Sequence, residues 1–360
     1  MCTVFVCVLA SELLAQQKDW ATLVAEGNRA LADGQYAQAE AAFVTALENV
    51  KDLPESDIRQ PKTLALLGYV YIFTARYEKA ESLYVRALAI CERTPVKDSP
   101  VAAEIMDGLG TLYRVLGRYA EAELWIKRAV LINERSLGLQ NPYLGAFYHS
   151  LAIVLLEEGK LAQATKTINR ALALWKTDDP HHQENIALAT GTLGNIYSSR
   201  RRYRESEDCY LHVLATLEKI RGPSHPMLLS TLPNLALLYV AMKKYPEAET
   251  ISRRALAIAN ANPEQPLANA ANAEIALGRA LAGQGRFAEA EPNFQRGLAT
   301  LERVLGSRST LYAVRLLDYA DSLRQAKRSR EAKDIETKVT AILALAGHTV
   351  NISELRHPRP

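Results

Sequence analysis

The chain has 360 residues, of which 43 are basic and 40 acidic, so its formal net charge is only +3. A charge so balanced offers no electrostatic reason to bind nucleic acid or an acidic membrane surface, and no nucleic-acid partner is expected. Folded as ordinary globular domains, a chain of this length would form two or three of them. A solenoid has no such limit, because each unit packs only on its neighbours.

The first apolar segment spans residues 2–10, and the first basic residue is Lys18. Nine apolar residues are too few to span a membrane, but they suit the core of a secretory signal peptide cleaved after Ala15 or Ala10. Residues 1–17 are therefore predicted to be a signal peptide, although no basic residue precedes the apolar run. We expect a bacterial protein exported to the periplasm or the medium, with no integral membrane segment in the mature chain. The alternative is an extra apolar helix at the start of a cytoplasmic protein.

A short phrase recurs along the rest of the chain. Its clearest copy begins at Gly117 and reads Gly-Arg-Tyr-Ala-Glu-Ala-Glu, a tight turn followed by the start of an amphipathic helix. The copies begin at positions 34, 75, 117, 159, 201, 243, 285 and 327, which are 41 residues apart once and 42 residues apart six times. This regular register predicts a repeat protein whose units each contain two antiparallel helices joined at that turn.

The pattern within the units places the helices. In the first unit they are predicted near residues 18–33 and 36–51, in the third near 100–116 and 119–136, and in the sixth near 227–242 and 246–261. Prolines such as Pro142 and Pro226 separate the units, because proline interrupts a helix but suits its first turn.

Two positions in every unit hold small residues: glycine or alanine seven residues before the turn, and alanine or serine five residues after it. A glycine inside a helix costs ~1 kcal/mol relative to alanine, so its presence at Gly110 and Gly194 predicts that a second helix passes close by. Large residues, mostly tyrosine, occupy the positions between. Small against large side chains at helical spacing predicts the core of a helix pair rather than a platform for stacking bases.

This pattern of glycine, tyrosine and alanine resembles the tetratricopeptide repeat over about residues 18–345. The 42-residue period is similar to the longer repeat of kinesin light chains, and so is the linker at residues 222–226. The resemblance implies an all-α, right-handed α-α superhelix, or solenoid, of about eight tetratricopeptide helix pairs with a peptide-binding concave groove. The eighth unit has a polar second helix and is expected to cap the solenoid, with residues 346–360 as a C-terminal tail.

The sequence contains no phosphate-binding glycine loop, no nucleophile elbow and no His-Glu-x-x-His motif. His181 and His182 are adjacent and therefore diverge, so we expect solvated loop residues rather than metal ligands. The arginines within residues 200–204 are expected to form a solvated turn, although a phosphate or an acidic partner would also suit them. No catalytic residue, metal or cofactor is predicted, and an enzyme with a dispersed site is the alternative.

The function is predicted from the face of each first helix that turns away from the second. The resemblance places this face on the concave side of the solenoid, where asparagine and arginine can form hydrogen bonds with the backbone of an extended peptide. The protein is thus expected to be a non-enzymatic scaffold for an unidentified protein or peptide. The alternatives are a wetted surface without a binding role and a cytosolic adaptor or regulatory arm like that of kinesin light chains. The predicted partner-binding residues are Tyr69, Asp107, Thr111, Arg114, His149, Asn195, Ser198, Asn234 and Arg279.

Overall fold

The computed structural model describes residues 19–54, 56–175, 179–262, 267–307 and 309–345. The predicted signal peptide (1–17) and tail (346–360) lie outside these ranges and stay predictions. The described part contains sixteen α-helices, one 3-10 helix and no strand. No helix within it is long and apolar enough to cross a membrane.

The helices form pairs, which confirms the predicted all-α solenoid architecture. In chain order they are α1 (Trp20–Ala32), α2 (Tyr36–Glu48), α3 (Arg59–Phe73), α4 (Tyr77–Glu92), α5 (Pro100–Val115), α6 (Tyr119–Leu137), α7 (Leu144–Glu157), α8 (Leu161–Leu174), α9 (Pro180–Ser199), α10 (Tyr203–Arg221), α11 (Leu232–Ala241), α12 (Tyr245–Ala261), α13 (Leu267–Gly283), α14 (Phe287–Leu305), α15 (Thr310–Gln325) and α16 (Ser329–Leu345). The chain divides into two compact units between Lys97 and Asp98, with α1–α4 in the first and α5–α16 in the second.

All eight predicted turns are present, and each has one residue in the left-handed backbone region. Four of these residues are glycines, but Ala75, Arg201, Lys243 and Lys327 adopt φ of 57–61° as well. The N–H of the next residue donates to a carbonyl five residues back, as from Arg118 to Tyr113 at 2.8 Å. This hydrogen bond closes the end of the helix, and it offsets the unfavourable backbone of the four turns that lack glycine.

Where the small residue before a turn is glycine, the two helices of the pair are in close contact there. A Cβ added at Gly110 would lie 2.4 Å from Cγ1 of Ile126 and 3.1 Å from the carbonyl oxygen of Ala122. The same contact recurs sixteen residues apart in other pairs, between Gly194 and Tyr210 and between Gly278 and Phe294 among others. The predicted register of the first helix is therefore confirmed.

The sixth pair departs from the predicted helix at 227–242. A 3-10 helix covers Pro226–Ser230, and α11 begins only at Leu232. The cause is Pro233, which has no N–H to donate to the carbonyl of Leu229, so a continuous α-helix through this segment would lack a hydrogen bond. The first α-helix of this pair is consequently only ten residues long.

A row of ion pairs joins consecutive helix pairs along the turns. The residue after the left-handed position is basic in seven turns, and in five of them it pairs with a glutamate 36 or 37 residues earlier. Lys160 contacts Glu123 at 2.6 Å and Arg286 contacts Glu249 at 2.8 Å, with equivalents in other repeats. The row is interrupted at Arg202, where Thr165 stands in place of the glutamate. Arg202 keeps the pair with the glutamate three residues later, Glu205, that Arg286 and Arg328 also make.

The last helix caps the second unit. Only Ala332, Val339, Ile342 and Leu343 of α16 are buried hydrophobic residues, and its remaining described residues are largely polar. No large hydrophobic side chain is exposed on the described part of α15 or α16. This polar outer face agrees with the predicted cap.

Candidate functional site

The first helices of the last four pairs, α9, α11, α13 and α15, line a groove of about 650 Å³ in the second unit. Four of the predicted partner-binding residues, Asn195, Ser198, Asn234 and Arg279, meet in it. We call this space the groove. The other lining residues are Ser199, Tyr210, Leu237, Leu238, Ala241, Val314, Arg315, Leu317, Asp318 and Asp321.

Two asparagines give the groove one amide donor and one amide acceptor. The side-chain oxygen of Asn195, Oδ1, accepts a 2.5 Å hydrogen bond from the hydroxyl of Tyr210, which leaves the side-chain NH₂ group to donate. The NH₂ group of Asn234 donates to the carbonyl oxygen of Ser230 at 3.2 Å, which leaves its side-chain oxygen to accept. A peptide backbone offers one acceptor and one donor per residue, so the two amides complement it.

The charged side chains of the groove are already paired with one another. Arg279 contacts Asp318 at 2.7 Å, and Arg315 contacts the other oxygen of the same carboxylate at 3.0 Å. The Nε atom of Arg315 also donates to the side-chain oxygen of Asn272 at 3.0 Å. These contacts use only Nη1 of Arg279 and fix its orientation, so its other N–H groups can meet a ligand.

The neighbouring first helices present a different surface, which we call the wall and define by Asp107, Arg114, His149, Ser150, Glu157 and Thr192. Three contacts link α5 to α7 and α7 to α9, each between residues 43 apart. Arg114 pairs with Glu157 at 2.9 Å, His149 lies 2.9 Å from the hydroxyl of Thr192, and Ser150 donates to Asp107 at 3.3 Å. The polar groups of the wall therefore bond to each other.

The wall shifts the acidity of the groups it encloses. Burial raises the pKa of Asp107 to about 7, against the smaller opposing effects of Ser150 and Arg114. Burial also raises the pKa of Glu157, although Arg114 acts to lower it. The pKa of His149 falls to about 4, because burial and the nearby charge of Arg114 both disfavour the imidazolium.

The nine predicted residues therefore divide among three places. Asp107, Arg114 and His149 belong to the wall, and Thr111 lies half-buried on α5 between the first two. Tyr69 lies on α3 in the first unit, where its ring meets Phe73 edge-on at 4.9 Å. Only the remaining four line the groove.

The sequence analysis missed several lining residues, although the repeat carried a signal for them. Leu237 and Asp321 stand six residues before their turns, as Asn195 and Arg279 do, and Asp318 occupies the position of Asn234. Reading these positions through all units would have found them. The apolar ones were passed over because the search favoured polar side chains.

The described residues show no grouping of His, Cys, Asp and Glu side chains that could hold a metal ion. The side chain of His181 lies outside the described part, whereas Nδ1 of His182 lies 3.6 Å from Asp179. His182 therefore lies in the first turn of α9, not in a loop as predicted, because the helix already begins at Pro180.

Comparison of the fold finds similar solved structures. NprR in complex with its cognate peptide NprX aligns with a TM-score of 0.64 at 14% identity, over 92% of this chain and 89% of that chain. Rap protein complexed with Competence and Sporulation Factor aligns with a TM-score of 0.61 at 15% identity, over 91% and 98%. A Podosopora anserina protein, described as having nearly identical TPR-like repeats of a kinesin light chain, is 21% identical over 57% and 97%, with a TM-score of 0.43.

Comparison of sequences gives the family. No curated protein matches the chain. The tetratricopeptide repeat family matches residues 59–135, 101–177, 184–261 and 269–344, which together cover more than half of the sequence. The predicted resemblance is thereby confirmed, and the chain belongs to the tetratricopeptide repeat family.

Proposed function

We propose that the protein is a non-enzymatic scaffold that binds an extended peptide segment of a partner in the groove. The observation that carries this proposal is the pair of asparagines, Asn195 and Asn234, which share the groove with a donor and an acceptor to spare. Main-chain recognition of this kind orders a peptide without requiring one particular sequence.

The rest of the groove supports the same function. Leu237, Ala241 and Val314 give it an apolar lining for side chains, and Arg279 has N–H groups that can reach a carbonyl or carboxylate oxygen. Tetratricopeptide repeats are typical of protein–protein interaction scaffolds. A peptide also accompanies NprR, a protein of similar fold.

The test uses a random peptide library displayed on phage and selected against the full chain. Selected peptides are then synthesised and titrated by calorimetry against Asn195→Asp combined with Asn234→Ala. The aspartate keeps an acceptor for Tyr210 but removes the amide donor. Because each lost hydrogen bond is worth about 1 kcal/mol, we expect Kd to rise about tenfold or more.

The matched control replaces two exposed residues on second helices, Gln163→Ala with His212→Ala. This variant should bind the peptides with unchanged Kd. Peptides whose affinity falls with the control and not with the groove variant would show that the partner binds the other face of the helix pairs, and the proposal would fail.

A further inference from the structure

The carboxylate of Asp107 is held in the wall with one oxygen unsatisfied. Its Oδ2 atom accepts a 3.3 Å hydrogen bond from Ser150 on α7. Its Oδ1 atom is enclosed and has no hydrogen-bond partner among the described residues. A buried, ionised carboxylate with half of its acceptor capacity unused is costly, because nothing replaces the water it has lost.

The charged groups around Asp107 do not supply the missing donor. On its own helix, Glu104 repels the carboxylate and Arg114 attracts it, but Arg114 is paired with Glu157 of α7. Tyr143, just before α7, donates its hydroxyl to Glu104. The charge of Asp107 also acts on Tyr143, and the charges of Glu157 and Arg114 act on Tyr119 of α6. A proton on Oδ1 is the simplest way to neutralise this group.

His149 occupies the position in its repeat that Asp107 occupies in the preceding one. It is a base held neutral, as Asp107 is an acid held neutral. One ring nitrogen, Nε2, lies 2.9 Å from the hydroxyl of Thr192 on α9, and the cation of Arg114 acts on the ring. A cation beside a buried ring disfavours the imidazolium, so this histidine is neutral where an exposed one would be charged.

We propose that Asp107 is a proton-binding site of the folded chain, and that Asp107 and His149 are both neutral within the wall. In the unfolded chain the same two side chains are carboxylate and imidazolium in mildly acidic solution. Folding therefore removes the proton from one of them and places a proton on the other. The wall buries two neutral groups instead of two charges.

The two sites oppose each other in their effect on stability. The pKa of Asp107 is about 7 in the fold and 3.8 as a free side chain, so its contribution to stability falls as the pH rises from about 4 to about 7. The pKa of His149 is about 4 in the fold and 6.5 as a free side chain, so its contribution falls as the pH drops from about 6.5 to about 4. Between these limits the pH dependences of the two contributions cancel, so their combined cost to stability stays nearly constant.

The wall and the groove share one helix. Thr192, the partner of His149, and Asn195, which lines the groove, both lie on α9. Ionisation of Asp107 above about pH 7 acts on the contact between α5 and α7, whereas charging His149 acts on the contact between α7 and α9.

The experiment measures urea unfolding of the full chain from pH 4.5 to pH 7.5 for the wild type, Asp107→Asn and His149→Gln. Relative to the wild type, the folding constant of Asp107→Asn should rise with pH, by about a hundredfold between pH 4.5 and pH 6.5, because only the histidine remains. The folding constant of His149→Gln should fall over the same range by a similar factor. The double variant should again follow the wild type.

A milder variant protects the test against failure to fold. Ser150→Ala removes the hydrogen bond that favours the carboxylate, so the upper limb of the stability profile should move to higher pH while His149 is untouched. The proposal is overturned if the profiles of Asp107→Asn or Ser150→Ala run parallel to that of the wild type throughout this range.

Discussion

The wall and the groove lie on consecutive first helices of the same unit and share α9, yet they use their polar side chains in opposite ways. In the wall, residues 43 apart are complementary: Asp107 meets Ser150, His149 meets Thr192 and Arg114 meets Glu157. In the groove, the residues 43 positions after Asn195, Ser198 and Asn234 are Leu238, Ala241 and Leu277. Arg315 is an exception there, since it contacts Asn272, 43 positions earlier.

This difference separates a surface that holds the solenoid together from one that can bind a partner. A polar side chain with a complementary neighbour one helix later is satisfied within the chain and offers little to a ligand. A polar side chain followed by an apolar one keeps part of its hydrogen-bonding capacity. Whether a polar side chain is available to a ligand therefore depends on the residue that the neighbouring repeat places beside it.

The first prediction concerns the packing of the two helices within a pair, and its expected effect on stability is the largest. In both regions a glycine of the first helix packs closely against the second helix of its pair. Gly110 does so on α5 of the wall, and Gly278 on α13 of the groove. Gly110→Leu and Gly278→Leu should each lower the free energy of unfolding by about 1–3 kcal/mol in urea titrations, because the added side chain overpacks a filled contact. The Gly110 variant should be the more severe, since its Cβ would also approach the backbone of Ala122.

A matched control lies on α9. A Cβ added at Gly191 would meet nothing closer than Val213 at 3.8 Å. Gly191→Ala should therefore stabilise the chain by up to about 1 kcal/mol, whereas Gly110→Ala should destabilise it. Equal responses of these two alanine variants would contradict the close-contact role of the glycine before each turn.

The second prediction compares an ion pair of the wall with one of the groove. Arg114→Met leaves Glu157 without its cation, and at pH 7 it should cost about 1 kcal/mol after allowance for the partly exposed side chains. Arg279→Met leaves Asp318 still paired with Arg315, so we expect a cost of about 0.5 kcal/mol or less.

The pH dependence distinguishes the two variants further. Burial already raises the pKa of Glu157, and loss of Arg114 raises it more, so Glu157 takes up a proton as the pH falls. The cost of Arg114→Met should accordingly shrink between pH 7 and pH 5 in urea titrations. A cost that stays constant over this range would mean that Glu157 finds another cation.

Much of this fold follows from the sequence because the repeat reports it eight times. The turns, the glycine contacts and the cap were predicted in place, since each depends on residues within one helix pair. The predicted start of α11 was wrong because Pro233 occurs in one repeat only and is not part of the pattern that the repeats share. The ion pairs along the turns were missed because their partners, such as Lys160 and Glu123, belong to different repeats.

The candidate site was harder to predict for the same reason. In sequence, Asp107, His149 and Asn195 are all polar residues on the inner face of a helix. The sequence of a single repeat does not show which of them has a hydrogen-bond partner within the chain. Only the residue 43 positions later, supplied by the next repeat, shows that Asp107 and His149 have partners. The sequence analysis judged each unit alone and so grouped wall and groove as one surface.

The third prediction concerns salt, and the expected effect is the smallest. Every charge that lines the groove has an opposite charge beside it: Arg279 and Arg315 share Asp318, and Asp321 lies 3.3 Å from Arg324. The lining thus carries two positive and two negative side chains. Screening by added salt has no net charge on which to act.

The affinity of a groove-bound peptide should therefore change by less than about twofold between about 0.05 and 0.5 M sodium chloride, measured by calorimetry. The exposed arginines at residues 200–204 lie outside the lining of the groove and provide the contrast. A ligand bound there would release counterions, and its affinity would fall steeply over the same range. A steep salt dependence that Arg201→Ala with Arg204→Ala abolishes would place the partner on that turn. A flat response that persists in this variant would leave the groove as its binding surface.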